Sequence, residues 1–156
     1  MGTVVRFALS AAAAVLALPA AAQMVTAADA GSVLRAMQSY GLAATLTTDD
    51  QGSPKIDFKI EGVNATLFFF GCDGGTSCKS IAFDVGFVVD PPFTAERANE
   101  WNRSNRFGGA YVDDNGVARL AMDMNMVAAG VSPETFRETL DAWGRSISDF
   151  KPFINW

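Results

Sequence analysis

KIDFKIEGVNATLFFFGCDGGTSCKSIAFDVGF, residues 55–87, is the stretch on which the fold turns. Ile56, Phe58 and Ile60 alternate with Lys55, Asp57, Lys59 and Glu61, which sends apolar and charged side chains to opposite faces of a strand. After Gly62, Ala65–Phe70 is apolar almost throughout, as expected of a strand deeper in a sheet. Ile81, Phe83, Val85 and Phe87 then alternate with Ser80, Ala82, Asp84 and Gly86. Three such strands, joined by a glycine turn and the short Cys72–Cys78 loop, predict an antiparallel meander.

Working toward the N-terminus, Leu42–Thr48 is a further β-prone stretch closed by the turn composition Asp49-Asp50-Gln51-Gly52. Before it, Thr26 reads as the cap of a helix to about Tyr40, with Ala30, Val33, Leu34, Met37 and Tyr40 on one face and Gly41 at its end. Toward the C-terminus, Asp90-Pro91-Pro92 stops the sheet and Thr94 caps a second helix through about Arg106, carrying Ala98 and Trp101 inward. Ala110–Val112 and Val117–Met124 form a hairpin around Asn115-Gly116. Ser132-Pro133 opens a last helix whose Phe136, Leu140, Trp143, Ile147 and Phe150 make one apolar stripe. The order α-β-β-β-β-α-β-β-α, with tight turns rather than helical crossovers, predicts an α+β fold. Its sheet is mostly antiparallel, with helices packed on one side.

Residues 1–22 carry one charge (Arg6), an Ala/Leu/Val run and a small-residue Ala20-Ala21-Ala22 end, the three parts of a cleavable secretory leader. The apolar run is shorter than the ~20 residues that span a bilayer, so no stable membrane anchor is expected after cleavage. Residues 23–156 are then expected to form a single domain. Loss of Arg6 shifts the formal net charge from −5 to −6, an acidic balance that argues against nucleic acid and anionic membrane surfaces as partners. Cys72 and Cys78 are the two cysteines, and in an oxidising compartment they most simply form a disulfide. Closing so small a loop contributes about 2 kcal/mol.

Several clusters invite a chemical reading. Trp101 and Asn102, with Arg106 and Phe107 a turn further along the same expected helix, would set an aromatic ring beside an amide and a guanidinium, suited to a peptide carboxylate or planar ligand. The competing reading makes Trp101 core and Asn102 a loop cap. Met122, Met124 and Met126 alternate along one strand face and offer soft sulfur to Cu(I), although Leu120 extends the same face as a core stripe would. The Asp-Asp-x-Gly turns at 49–52 and 113–116 fail as calcium loops, because carboxylates are missing at the first and last ligand positions. The sequons at Asn64 and Asn102 are discounted as chance matches, and Glu96 with Glu100 reads as solvated helix surface. With no histidine in the chain there is no Ser-His or Cys-His pair, so no catalytic residue, cofactor or metal is assigned and an enzyme is not expected.

Gly71-Cys72-Asp73, Cys78-Lys79-Ser80, Trp101-Asn102-Arg103 with Arg106-Phe107, and Tyr111-Val112-Asp113-Asp114 leading to Met122-Asp123 together resemble the YbjN domain family, from about Val25 to Phe153. The resemblance implies a fold similar to type III secretion chaperones, often paired into homodimers, and a role in regulating bacterial sensory transduction. It carries over no catalytic residues, and the export leader departs from cytoplasmic members. The expectation is therefore an exported, periplasmic or secreted, non-catalytic binding or chaperone-like module whose partner is a protein, a peptide or a second copy. The alternatives are a small-ligand or copper carrier and, third, an unrecognised hydrolase.

Overall fold

The computed structural model describes residues 23–127 and 129–156; the leader read at 1–22 lies outside the described residues. The chain runs α1 (Ala30–Ser39), β1 (Ala44–Thr48), β2 (Pro54–Ile60), β3 (Val63–Phe70), β4 (Ser80–Phe87), α2 (Ala95–Ser104), β5 (Gly109–Val112), β6 (Ala118–Asn125) and α3 (Pro133–Phe153). This is the α+β order expected. The six strands form one antiparallel sheet, β1-β2-β3-β4-β6-β5, in which β6 returns past β5 to pair with β4.

Period-two alternation fixes which face each side chain takes, since a slip of one residue would turn every strand over. Ile56, Phe58, Leu67, Phe69, Ile81, Phe83, Val85, Phe87 and Leu120 are all buried on one face. The α3 stripe, Phe136, Leu140, Trp143, Ile147 and Phe150, is buried against them, with Val33 and Met37 of α1 and Ala98 and Trp101 of α2 in the same core. Phe83 lies 5.8 Å from Trp143, and Phe150 lies 4.9 Å from Trp101, between ring centroids. Burial of each such ring contributes about 1.5–3 kcal/mol. Met122 and Met124 lean half-buried on this core and Met126 is buried beside it, so the three thioethers are packed as a continuation of the Leu120 stripe.

Ser132 and Thr94 cap α3 and α2 as expected, their hydroxyls accepting from Thr135 N and Arg97 N. Two helix ends differ from expectation. The cap of α1 is Asp29, not Thr26: its carboxylate accepts from Gly31 N at 3.0 Å. Thr26 is unavailable because the adjoining Val25 pairs with Val131 in both directions at 2.9 Å, and the Thr26 N–H donates to Ser32 Oγ. The second difference is that α2 stops at Ser104. Asn105 makes the last helical bond to the Trp101 carbonyl, to which its side-chain amide also donates, but its own backbone is extended (φ −122, ψ 132) and turns the chain out of the helix.

The β1–β2 and β5–β6 hairpins close in the same way. Asp49 Oδ1 accepts from Gln51 N and Ser53 N, and Asp113 Oδ1 accepts from Asn115 N and Val117 N. These carboxylate oxygens hold turn backbone, which is why the Asp-Asp-x-Gly pattern serves as a loop motif.

Candidate functional site

With α1, α2 and α3 on one face, the other face of the sheet is bare among the described residues, and its side chains follow from the register. One row runs Lys55, Phe68, Ala82, Asp123 across β2, β3, β4 and β6; the next runs Asp57, Thr66, Asp84, Ala121, Gly109 and reaches β5. A third brings together Gly86, Arg119 and Tyr111. Ala82, Ala121, Gly86 and Gly109 are the small residues of these rows, with Phe68, Arg119 and Tyr111 standing beside them. The face is therefore hollowed into a concavity of about 920 Å³, floored by Ala82 and Ala121 and bordered by Phe68, Phe70, Tyr111 and Arg119.

Two loops wall one end. The β1–β2 turn and the loop between Cys72 and Cys78 meet so closely that a Cβ on Gly75 would stand 2.8 Å from the Gly52 carbonyl oxygen. Cys72 and Cys78 are joined as a disulfide, as expected, and this fixes the base of the second loop. Phe70, just before it, is 51% exposed.

The other end holds a charged cluster. Arg119 Nη2 is in contact with Asp84 Oδ1, and the Tyr111 hydroxyl donates to Asp84 Oδ2 at 3.2 Å. Asp113 lies 4.0 Å from Arg119 Nη1. The Asp84 side chain is only 10% exposed, and burial raises its carboxyl above the ordinary value of 3.8, with the Arg119 charge and the Tyr111 hydrogen bond pulling it back. Burial, and then the Asp84 charge, raise Tyr111 above its ordinary value. For Arg119, burial works downward and is the largest single influence, but the Asp84 charge together with the interactions with Tyr111 and the Asp84 hydrogen bond outweighs it and leaves the guanidinium raised. Arg119 can lie across the sheet because residue 86 is glycine: a Cβ there would come within 2.9 Å of Nη1.

The cluster expected from sequence is not assembled. Trp101 is buried in the core and its indole N–H donates to the Gly108 carbonyl at 2.6 Å. Asn102 does structural work: its amide donates to Ala110 O and accepts from Ala110 N, at 2.9 and 2.7 Å. It thereby occupies the outward hydrogen-bonding groups of Ala110 in β5 and blunts that sheet edge there. Arg106 and Phe107 lie beyond the end of α2, exposed, the guanidinium 5.3 Å from the ring centre. The helical spacing that would have grouped the four residues ends two residues too soon.

A family model matches residues 29–156, covering both the bare face and the helical layer, and carries the description "Putative bacterial sensory transduction regulator". The chain belongs to the YbjN family. No curated protein matches it. Within this YbjN domain, Asp84, Tyr111 and Arg119 were missed by sequence reasoning, although the small-residue alternation Ser80, Ala82, Asp84, Gly86 was the available signal: a strand whose second face carries small side chains around one carboxylate.

Proposed function

We propose that this YbjN domain is an exported, non-catalytic binding module that holds an extended segment of a partner protein against the bare face of its sheet. The observation that carries the reading is the concavity itself: a trough bordered by half-exposed aromatic rings on an otherwise polar sheet face, built on the most regular part of the fold. The charged cluster favours binding over chemistry. Both Asp84 oxygens are engaged, by Arg119 and Tyr111, so the buried carboxylate is held as a rigid fixture of the sheet face. A disulfide beside the trough is compatible with an oxidising compartment, and the leader-like residues 1–22 support export. Among the described residues no helix is long and apolar enough to cross a membrane.

Native mass spectrometry of the protein purified from the cells that make it tests this reading. The expected species starts near Gln23, is oxidised at both cysteines and retains a peptide or protein partner. A chain that keeps its leader, or that carries two free thiols and a metal ion, contradicts it.

A further inference from the structure

We propose that the trough selects a basic segment: an extended stretch of a partner chain whose Lys or Arg side chains reach Asp50 and Asp123 across the faces of Phe68 and Phe70. This rests on the bare sheet face being the docking surface, and adds the chemistry of what docks. Four carboxylates, Asp49, Asp50, Asp84 and Asp123, line the concavity against a single guanidinium, that of Arg119. They are not equivalent. Asp84 is matched by Arg119, and Asp49 is engaged by the Gln51 and Ser53 N–H groups. Asp50 and Asp123 make no ion pair among the described residues and stand exposed on opposite sides of the trough.

Lys55, which sits beside Phe68 in the register, is 3.7 Å from Asp57. An arriving anion therefore meets two uncompensated carboxylates, and the one guanidinium it finds is already engaged. An arriving cation meets two open acceptors and the negative faces of two phenyl rings, an arrangement that attracts ammonium and guanidinium groups. Ala82 and Ala121 on the floor let a backbone approach closely, so that alternate side chains of an extended segment point down into the trough. Charge repulsion of the wrong segment supplies selectivity as much as attraction of the right one.

The test uses the mature, oxidised chain and three labelled peptides of equal length that alternate valine with lysine, serine or glutamate. Binding is read by fluorescence anisotropy and located by backbone amide NMR shifts. The lysine peptide is expected to bind at least about tenfold tighter than the glutamate peptide, to weaken with salt, and to shift the amides of Ala82, Ala121 and Asp123. The exposed pair of changes Asp50→Asn with Asp123→Asn is expected to remove most of that preference, while Glu134→Gln with Glu138→Gln, on α3, leaves it intact. Binding of the serine or glutamate peptide to those amides as tightly as the lysine peptide overturns the charge selection and leaves the docking face standing. Equal weakening by the α3 changes also overturns it, as attraction to the net charge alone. If no peptide shifts those amides, the docking face itself fails and this inference goes with it.

Discussion

Removing the Arg119 guanidinium should cost far more than removing the Asp84 charge it neutralises. In Arg119→Met the Asp84 carboxylate, 10% exposed, keeps only the Tyr111 hydroxyl as partner. Stranding a buried ion costs about 3–5 kcal/mol, and the surviving hydrogen bond together with the option of protonation puts this case near about 3 kcal/mol. In Asp84→Asn, Arg119 is already 28% exposed, lies 4.0 Å from Asp113 and can turn to water, so the loss is about 1 kcal/mol. Adding Arg119→Met to Asp84→Asn should then cost little more, giving a coupling of about 3 kcal/mol. Urea unfolding at neutral pH reads these differences, about 3 kcal/mol appearing as a midpoint shift of roughly 1.5 M for a slope near 2 kcal/mol/M.

Acid supplies an internal check on the same variants. The Asp84 carboxyl is already raised above 3.8, so in the native protein its contribution to stability is full below 3.8 and is lost as pH rises through the folded value. Without Arg119 that folded value rises further, so the deficit of Arg119→Met should be largest above it and fade as pH falls toward 3.8. An Arg119→Met deficit no larger than that of Asp84→Asn, or one that does not change between neutral and acid pH, refutes the reasoning.

Asn102→Ala should cost about 1–2 kcal/mol, because the Ala110 N–H and C=O lose their partner, and light scattering should show increased self-association at the uncovered β5 edge. The native oxidised protein should yield no titratable thiol, and Cys72→Ser with Cys78→Ser should lower stability by about 2 kcal/mol and loosen the wall formed with the β1–β2 turn. Cu(I) under reducing conditions should leave the thermal midpoint unmoved, since Met122, Met124 and Met126 are committed to the core; a rise in midpoint with Cu(I) would restore the metal-carrier reading.

The helical layer and the meander were readable in the chain because each rests on one short-range period. The 136–140–143–147–150 stripe and the alternations at 55–60 and 80–87 survive folding unchanged as buried faces. The bare face was not readable as a site, because its members are brought together by a pairing that skips a strand: β6 lies between β4 and β5, and this places Arg119 beside Asp84 across 35 positions of sequence. The residues of the Trp101 cluster are not grouped on one helix, for a local reason. The extended backbone of Asn105 ends α2 at Ser104, where the Asn105 side-chain amide adds a local bond to the Trp101 carbonyl, and no periodicity in the helix announces where such an exit falls. Asn102, read as a ligand group or a loop cap, instead closes a sheet edge, a role that exists only once β5 has been placed beside it.

Site-specific photo-crosslinking in the cells that produce the protein tests the central claim most directly, with the photoreactive residue placed at Phe70 on the bare face or at Phe107 beyond α2. Both positions are about half exposed, at 51% and 49%, so access alone does not favour either. A discrete partner adduct from position 70 and none from position 107 is the predicted result. An adduct from position 107 alone would contradict the account and return the Arg106–Phe107 segment as the binding surface.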